Sequence, residues 1–183
     1  MNRAVLVVDV QRGLCEGEYA TFDSAGVIDR INLITAHARA AGALVVIIQH
    51  EASTGVLAYG SESWQLAPAL HTEATDTFLR KTRTDSFDRT DLDAILKRHE
   101  IDELVICGMQ SDFCVDTTTR RALGLGYPVV LVSDGHTTLD NRHLTASQIS
   151  EHHNETLSNI TSYGHTVRLA RAAAVARMLK AGG

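Results

Sequence analysis

The chain is short of most features that would assign it to a class at once. Its 183 residues hold three cysteines, Cys15, Cys107 and Cys114. That number is odd and without paired, metal-like spacing, so it argues against a disulfide framework or structural zinc and for reduced thiols. No apolar run approaches the ~20 residues of a membrane span. The chain enters the apolar segment Ala4–Val8 with no basic region or cleavage site before it, and the expected location is the cytoplasm. Positive charge is not in excess either: the net charge is −5, the pI is near 6.0 and the lysines and arginines are scattered. No basic footprint for nucleic acid exists in such a pattern. Internal repeats, linkers and low-complexity segments are also missing. What remains is 44% hydrophobic content, enough for one domain spanning residues 1–183 with a full core.

Short β-branched runs alternate with helix-period segments. Ala4–Val8 reads as a strand and Val27–Ala41 as a helix, with Val27, Ile31, Ile34 and Ala38 on one face. Leu44–Ile48 is apolar throughout, as a parallel strand buried on both faces should be. Further strands are expected at Thr77–Leu79, Glu103–Cys107, Val129–Val132 and Thr166–Leu169. Helices are expected at Asp91–His99, from Cys114 to about Leu125, at Ala146–Ile160 and at Ala170–Lys180. Ser133-Asp134-Gly135 reads as a turn closing the fifth strand. The segment from Gln49 to Ala69 has no clear period and reads as a long functional loop. This alternation predicts a doubly wound α/β fold: an open, mostly parallel sheet of about six strands with helices on both faces. Ligands of such sheets bind at the carboxyl ends of the strands.

Three chemistry-bearing residues fall at those ends. Asp9 follows the first strand, Lys81 the third, and Cys114 the fourth, after the turn Gly108-Met109-Gln110-Ser111-Asp112-Phe113. At the first turn of a helix, backbone N–H groups and the helix dipole favour a thiolate, so Cys114 reads as a nucleophile. Taken singly, Asp9 reads equally as a turn residue and Lys81 as a solvated surface lysine. Together a thiol, a carboxylate and an ammonium can run acyl transfer, the carboxylate moving the proton and the lysine offsetting the repulsion between the two anions. Cys107, inside an apolar strand, reads as core; Cys15 has no assigned role. His152 and His153 are adjacent on a helix and point to different faces, so they do not form a two-histidine metal site.

Asp9-Val10-Gln11, Lys81 with Arg83 and Phe87 after it, and Gly108-Met109-Gln110-Ser111-Asp112-Phe113-Cys114-Val115 resemble, in order and in placement, the isochorismatase-like cysteine hydrolases. That family includes nicotinamidases, carbamoyl-group amidohydrolases, streptothricin-type amide hydrolases and isochorismatases proper. The resemblance implies an Asp9–Lys81–Cys114 triad, a cis Met109–Gln110 peptide, and an oxyanion hole made by the N–H groups of Gln110 and Cys114. It further implies a small-molecule substrate and a homo-oligomer, dimer or tetramer. Gln49-His50-Glu51-Ala52-Ser53 departs from the Asp-Trp-His-Pro-type segment of metal-binding nicotinamidases, so no metal and no cofactor is expected. Asp85 and Ser86 stand where the family often has Ser and Ala, and the added carboxylate either alters substrate charge preference or faces water. Gln11, His50, Trp64 and Phe87 are candidate substrate contacts, Gln11 being better suited to hydrogen-bonding the pocket backbone.

The first expectation is therefore cleavage of a C–N bond in a small amide through a thioester on Cys114. The alternatives are a vinyl ether hydrolase that uses Asp9 as acid, and a catalytically degenerate binding subunit.

Overall fold

The computed structural model describes residues 2–180. Six strands form one sheet in the order β3-β2-β1-β4-β5-β6, and every neighbouring pair is parallel. They are β1 (Arg3–Val8), β2 (Leu44–His50), β3 (Thr77–Lys81), β4 (Glu103–Met109), β5 (Val129–Thr137) and β6 (Val167–Ala170). The helices are the short α1 (Arg12–Cys15), then α2 (Ser24–Ala40), α3 (Leu92–Arg98), α4 (Asp116–Gly124), α5 (Ala146–Ser158) and α6 (Ala172–Lys180). The expected α/β architecture is thus the observed one, with a sheet that is wholly parallel.

The continuous apolar runs divide by alternation into two cores. Val5, Val7, Val45, Ile47, Val105, Cys107, Val130 and Val132 face α2 and α6, meeting Val27, Ile31, Ile34 and Val175. Ala4, Leu6, Val8, Val46, Ile48, Leu104, Ile106 and Leu131 face the other way, against Leu92 and Leu96 from α3, Val115 just before α4, Leu123 from α4 and Leu157 from α5. A period of two along each strand supplies both faces, so Ala4–Val8, Leu44–Ile48 and Leu104–Cys107 are apolar without interruption. At about 25 cal/mol per Å² of apolar surface, these two layers are the main favourable contribution to folding. Among the described residues no helix is long and apolar enough to cross a membrane.

Connections leave β1 toward β2 and leave β4 toward β5, on opposite sides of the sheet, so a crevice opens between the carboxyl ends of β1 and β4. Gly108 permits their close approach: at φ +121°, a Cβ there would stand 2.1 Å from the Val8 carbonyl oxygen.

β5 corrects the sequence reading. Ser133-Asp134-Gly135 is a bulge inside a nine-residue strand, not its end. Ile106 pairs with Leu131 and Gly108 with His136, so β4 advances two residues while β5 advances five. The strand then resumes beside the end of β4, placing the buried His136, Thr137 and Thr138 next to the turn that carries Cys114. Between β2 and β3, the long loop forms as expected, its backbone held to the body by the Gln11–Leu66 bridge.

Candidate active site

Three strand ends and one turn bring the sequence-selected residues together. Asp9 leaves β1 with φ 51°, a left-handed conformation that Asp tolerates better than most residues and that redirects its side chain. Lys81 is the last residue of β3 and pairs in register with His50, the last of β2. Cys114 sits in a π-type turn, Ser111–Val115, that runs directly into α4. The Met109–Gln110 peptide preceding that turn is cis.

Lys81 Nζ is the hub. It donates to Asp9 Oδ2 at 2.8 Å, to Cys114 Sγ at 3.1 Å and to the Arg83 carbonyl at 3.1 Å, and lies 3.3 Å from His50 Nδ1. The side chains of Lys81 and Asp9 are 0% and 1% exposed. Burial opposes the charge on Lys81, but Asp9 and Cys114 outweigh it and raise the ammonium's pKa. Burial and the neighbouring ammonium lower that of His50, leaving a neutral imidazole. Asp9 Oδ1 is buried and has no hydrogen-bond partner among the described residues.

Oxygen, nitrogen and sulfur donors of Asp9, His50 and Cys114 all lie within 4.8 Å of one another, a set that could hold a metal ion. Lys81 Nζ is within hydrogen-bond reach of all three residues. The ammonium is therefore the cation these donors share, and a metal ion would have to displace it.

The thiol itself differs from expectation. Burial, with the Asp9 carboxylate adding to it and Lys81 opposing it, pushes the Cys114 pKa up to about 12. Cys114 precedes regular α4 inside the π-type turn, and at 8% exposure the loss of water is the largest influence on it and favours the thiol. The resting group is a thiol beside a carboxylate with a spare oxygen. Cys15 and Cys107 are also pushed to about 12, chiefly or wholly by burial. Cys107 is in the core, as expected. Cys15 lies 3.6 Å from Met109 Sδ, bracing the residue before the cis bond.

The other candidates divide. Gln11 is fully buried: its amide nitrogen donates to the carbonyls of His50 and Trp64, and its oxygen accepts from the His50 N–H. All three bonds are to backbone, so Gln11 clamps the loop and does not face a ligand. His50 lines a cavity of about 590 Å³ with Glu51, Ala52, Ser53, Tyr59, Thr82 and Arg83. Trp64 stands behind that wall, its ring edge-on to Tyr59 at 4.9 Å. Phe87 is a correction: it is 8% exposed and stacks on Tyr127 in the core, because the Asp85 carboxylate caps its N–H and turns the segment inward. That same carboxylate lies 3.7 Å from Arg121, and the buried Ser86 bonds Thr118. The departures at 85 and 86 are thus structural. Sequence reasoning missed His136, because the apparent turn before it hid the continuation of β5.

Comparison with known proteins places these features in a family. Residues 3–172 match the model of the isochorismatase domain. A streptothricin hydrolase of Streptomyces noursei is 40% identical over 139 residues, 75% of this chain and 50% of that protein. The chain spans about half the length of the streptothricin hydrolases it matches. The nicotinamidase of Escherichia coli K12 is 30% identical over 174 residues, 73% of this chain and 82% of that enzyme. A solved structure of an isochorismatase family protein superposes with a TM-score of 0.84 at 38% identity, covering 92% of this chain and 98% of that one. The family match spans all six strands and every residue that meets at Lys81 Nζ, and the chain belongs to the isochorismatase family.

Proposed function

We propose that the protein is a cysteine hydrolase that cleaves a C–N bond of a small amide through a thioester on Cys114. One observation carries this reading: a buried ammonium bonds a thiol and a carboxylate at once, while the second oxygen of that carboxylate is unpaired. Such an arrangement can move a proton from sulfur to oxygen without a change in net charge.

When an amide carbonyl enters, Asp9 takes the Cys114 proton and Sγ attacks the carbonyl carbon. Lys81, charged throughout, offsets the two anionic partners. The carbonyl oxygen gathers negative charge, directed at the N–H groups of Gln110 and Cys114, each such donor contributing about 3 kcal/mol of barrier lowering. As the C–N bond breaks, Asp9 returns its proton to the departing nitrogen, and the acyl group remains on sulfur. Water then attacks the thioester, Asp9 takes the water's proton, the C–S bond breaks and the thiol is restored. The products are a carboxylic acid and an amine or ammonia. His50, neutral and at the junction of the triad and the cavity, orients the substrate.

The resemblance to streptothricin hydrolases and nicotinamidase supports amide cleavage and guides a first panel: streptothricin, nicotinamide and a ureido acid. The expected outcome is release of amine or ammonia from at least one of them. Cys114→Ala should remove that activity by a factor on the order of 10⁴ or more. Turnover by Cys114→Ala at the wild-type rate would refute the thioester mechanism.

A further inference from the structure

Behind Cys114 lies a second polar chain, buried at Ser111 and His136 and half-buried at Ser150 and Asn154, and its hydrogen-bond directions can be assigned from one end to the other. Asn154 Nδ2 donates to the Ser133 carbonyl at 2.9 Å. A carbonyl only accepts, so the Asn154 amide is oriented with Oδ1 toward His136 Nε2, 3.0 Å away. Nε2 must then carry the proton. His136 is 4% exposed and held neutral by burial, so Nδ1 is left as an acceptor. Ser111 Oγ, 2.8 Å from Nδ1, donates to it. Ser111 in turn accepts from Ser150 Oγ at 2.9 Å.

Ser111 follows Gln110 directly and opens the turn that holds Cys114. The Gln110 carbonyl accepts from the N–H groups of Phe113 and Val115, so Gln110 and Cys114 belong to one tightly bonded loop. The β5 bulge is what sets His136 opposite Gly108 and under this loop. A second tie, Thr138 Oγ1 to Asp112 Oδ1 at 2.6 Å, holds the next residue to the same strand extension.

We propose that His136, as its Nε2–H tautomer, is a positioning residue: by accepting the Ser111 hydroxyl proton it fixes the loop that presents both the Cys114 thiol and the Gln110 N–H. Asn154 selects the tautomer, and Ser111 carries the constraint to the loop. His136 touches no substrate, and its effect falls on kcat, because formation and hydrolysis of the thioester both use the loop it fixes. This assignment rests on Cys114 being the nucleophile.

The probe is 4-nitrophenyl acetate, whose acetyl group passes to sulfur with release of 4-nitrophenolate. Misplacement of reacting groups by ~1 Å costs up to ~100-fold. Ser111→Ala and His136→Phe should therefore each lower kcat about 10- to 100-fold while KM stays within about threefold. His136→Asn, whose amide oxygen can accept from Ser111, should restore kcat to within about fivefold of wild type. The double variant Ser111→Ala/His136→Phe should be no slower than the slower single variant, as expected for two residues in one chain. In ¹⁵N-histidine-labelled protein, His136 should show a protonated Nε2 and a bare Nδ1. A folded Ser111→Ala with kcat within twofold of wild type overturns the proposal, as does His136→Asn falling as low as His136→Phe, or a protonated Nδ1. If Cys114→Ala cleaves the ester like wild type, the thioester reading fails and takes the positioning role with it. If Cys114→Ala is dead but the Ser111 and His136 variants are normal, only the positioning role fails.

Discussion

The loop bearing Cys114 has two polar sides, and they are built on opposite principles. On the front, Asp9, Lys81 and Cys114 form an ionic cluster beside the His50 cavity. On the back, Ser111, His136, Asn154 and Ser150 form a neutral chain, the last three lining a separate cavity of about 440 Å³. Within the front cluster Asp9 Oδ1 has no hydrogen-bond partner among the described residues, while each link of the back can be given a donor and an acceptor. An unsatisfied buried carboxylate oxygen is costly, about 1–3 kcal/mol or more, and at Asp9 it is free to receive a proton. A fully satisfied chain holds geometry. Reactivity resides in front and precision behind.

The largest effect that would break this contrast is chemical. Asp9→Asn keeps the shape of the front but cannot accept a proton, so amide turnover should fall by about 10²–10⁴, read as steady-state kcat; unchanged turnover would mean that Asp9 is not the proton carrier. Next comes stability. Lys81→Met strands a buried carboxylate and should cost about 3–5 kcal/mol, whereas Lys81→Met/Asp9→Leu should recover most of that loss in urea unfolding. Equal destabilisation by single and double variants would deny that the cost is electrostatic.

The back should respond to pH. Burial lowers the folded-state pKa of His136 below its ordinary value of 6.5. On acidification the unfolded chain therefore takes up a proton that the folded chain resists, and stability present above about pH 6.5 is lost as pH falls through and below that value. The slope approaches about 1.4 kcal/mol per pH unit, and His136→Asn should lose less stability than wild type between pH 7 and pH 5.5. An equal loss would place the acid sensitivity elsewhere, with His50, lowered in the same direction, the first alternative. The smallest effect concerns the cysteine inside β4. Cys107 shares a pKa near 12 with Cys114 but lacks its ionic partners, so Cys107→Val should cost less than about 1.5 kcal/mol and leave kcat unchanged.

This pair of cysteines marks what was legible in the chain. Apolar runs of period two announced the sheet, and the order of Asp9, Lys81 and Cys114 at successive strand ends announced the front of the site. The thiol's protonation was not legible, because it depends on how deeply the turn sinks, and burial is the largest cause that raises the Cys114 pKa. Phe87 was misjudged since its direction is set by the Asp85 cap, a local bond that spacing does not reveal. The back was hidden altogether. Ser133-Asp134-Gly135 carries the composition of a turn, and only pairing with β4 reveals it as a bulge that returns His136 to the sheet.

The central claim is that sulfur bears the acyl group. Rapid quenching of the protein with a turned-over amide, followed by intact mass and peptide mapping, should find the acyl mass on Cys114 in wild type and none in Cys114→Ala. Amide turnover in which Cys114 never gains that mass, even when hydroxylamine-free acid quenching preserves thioesters, would contradict it.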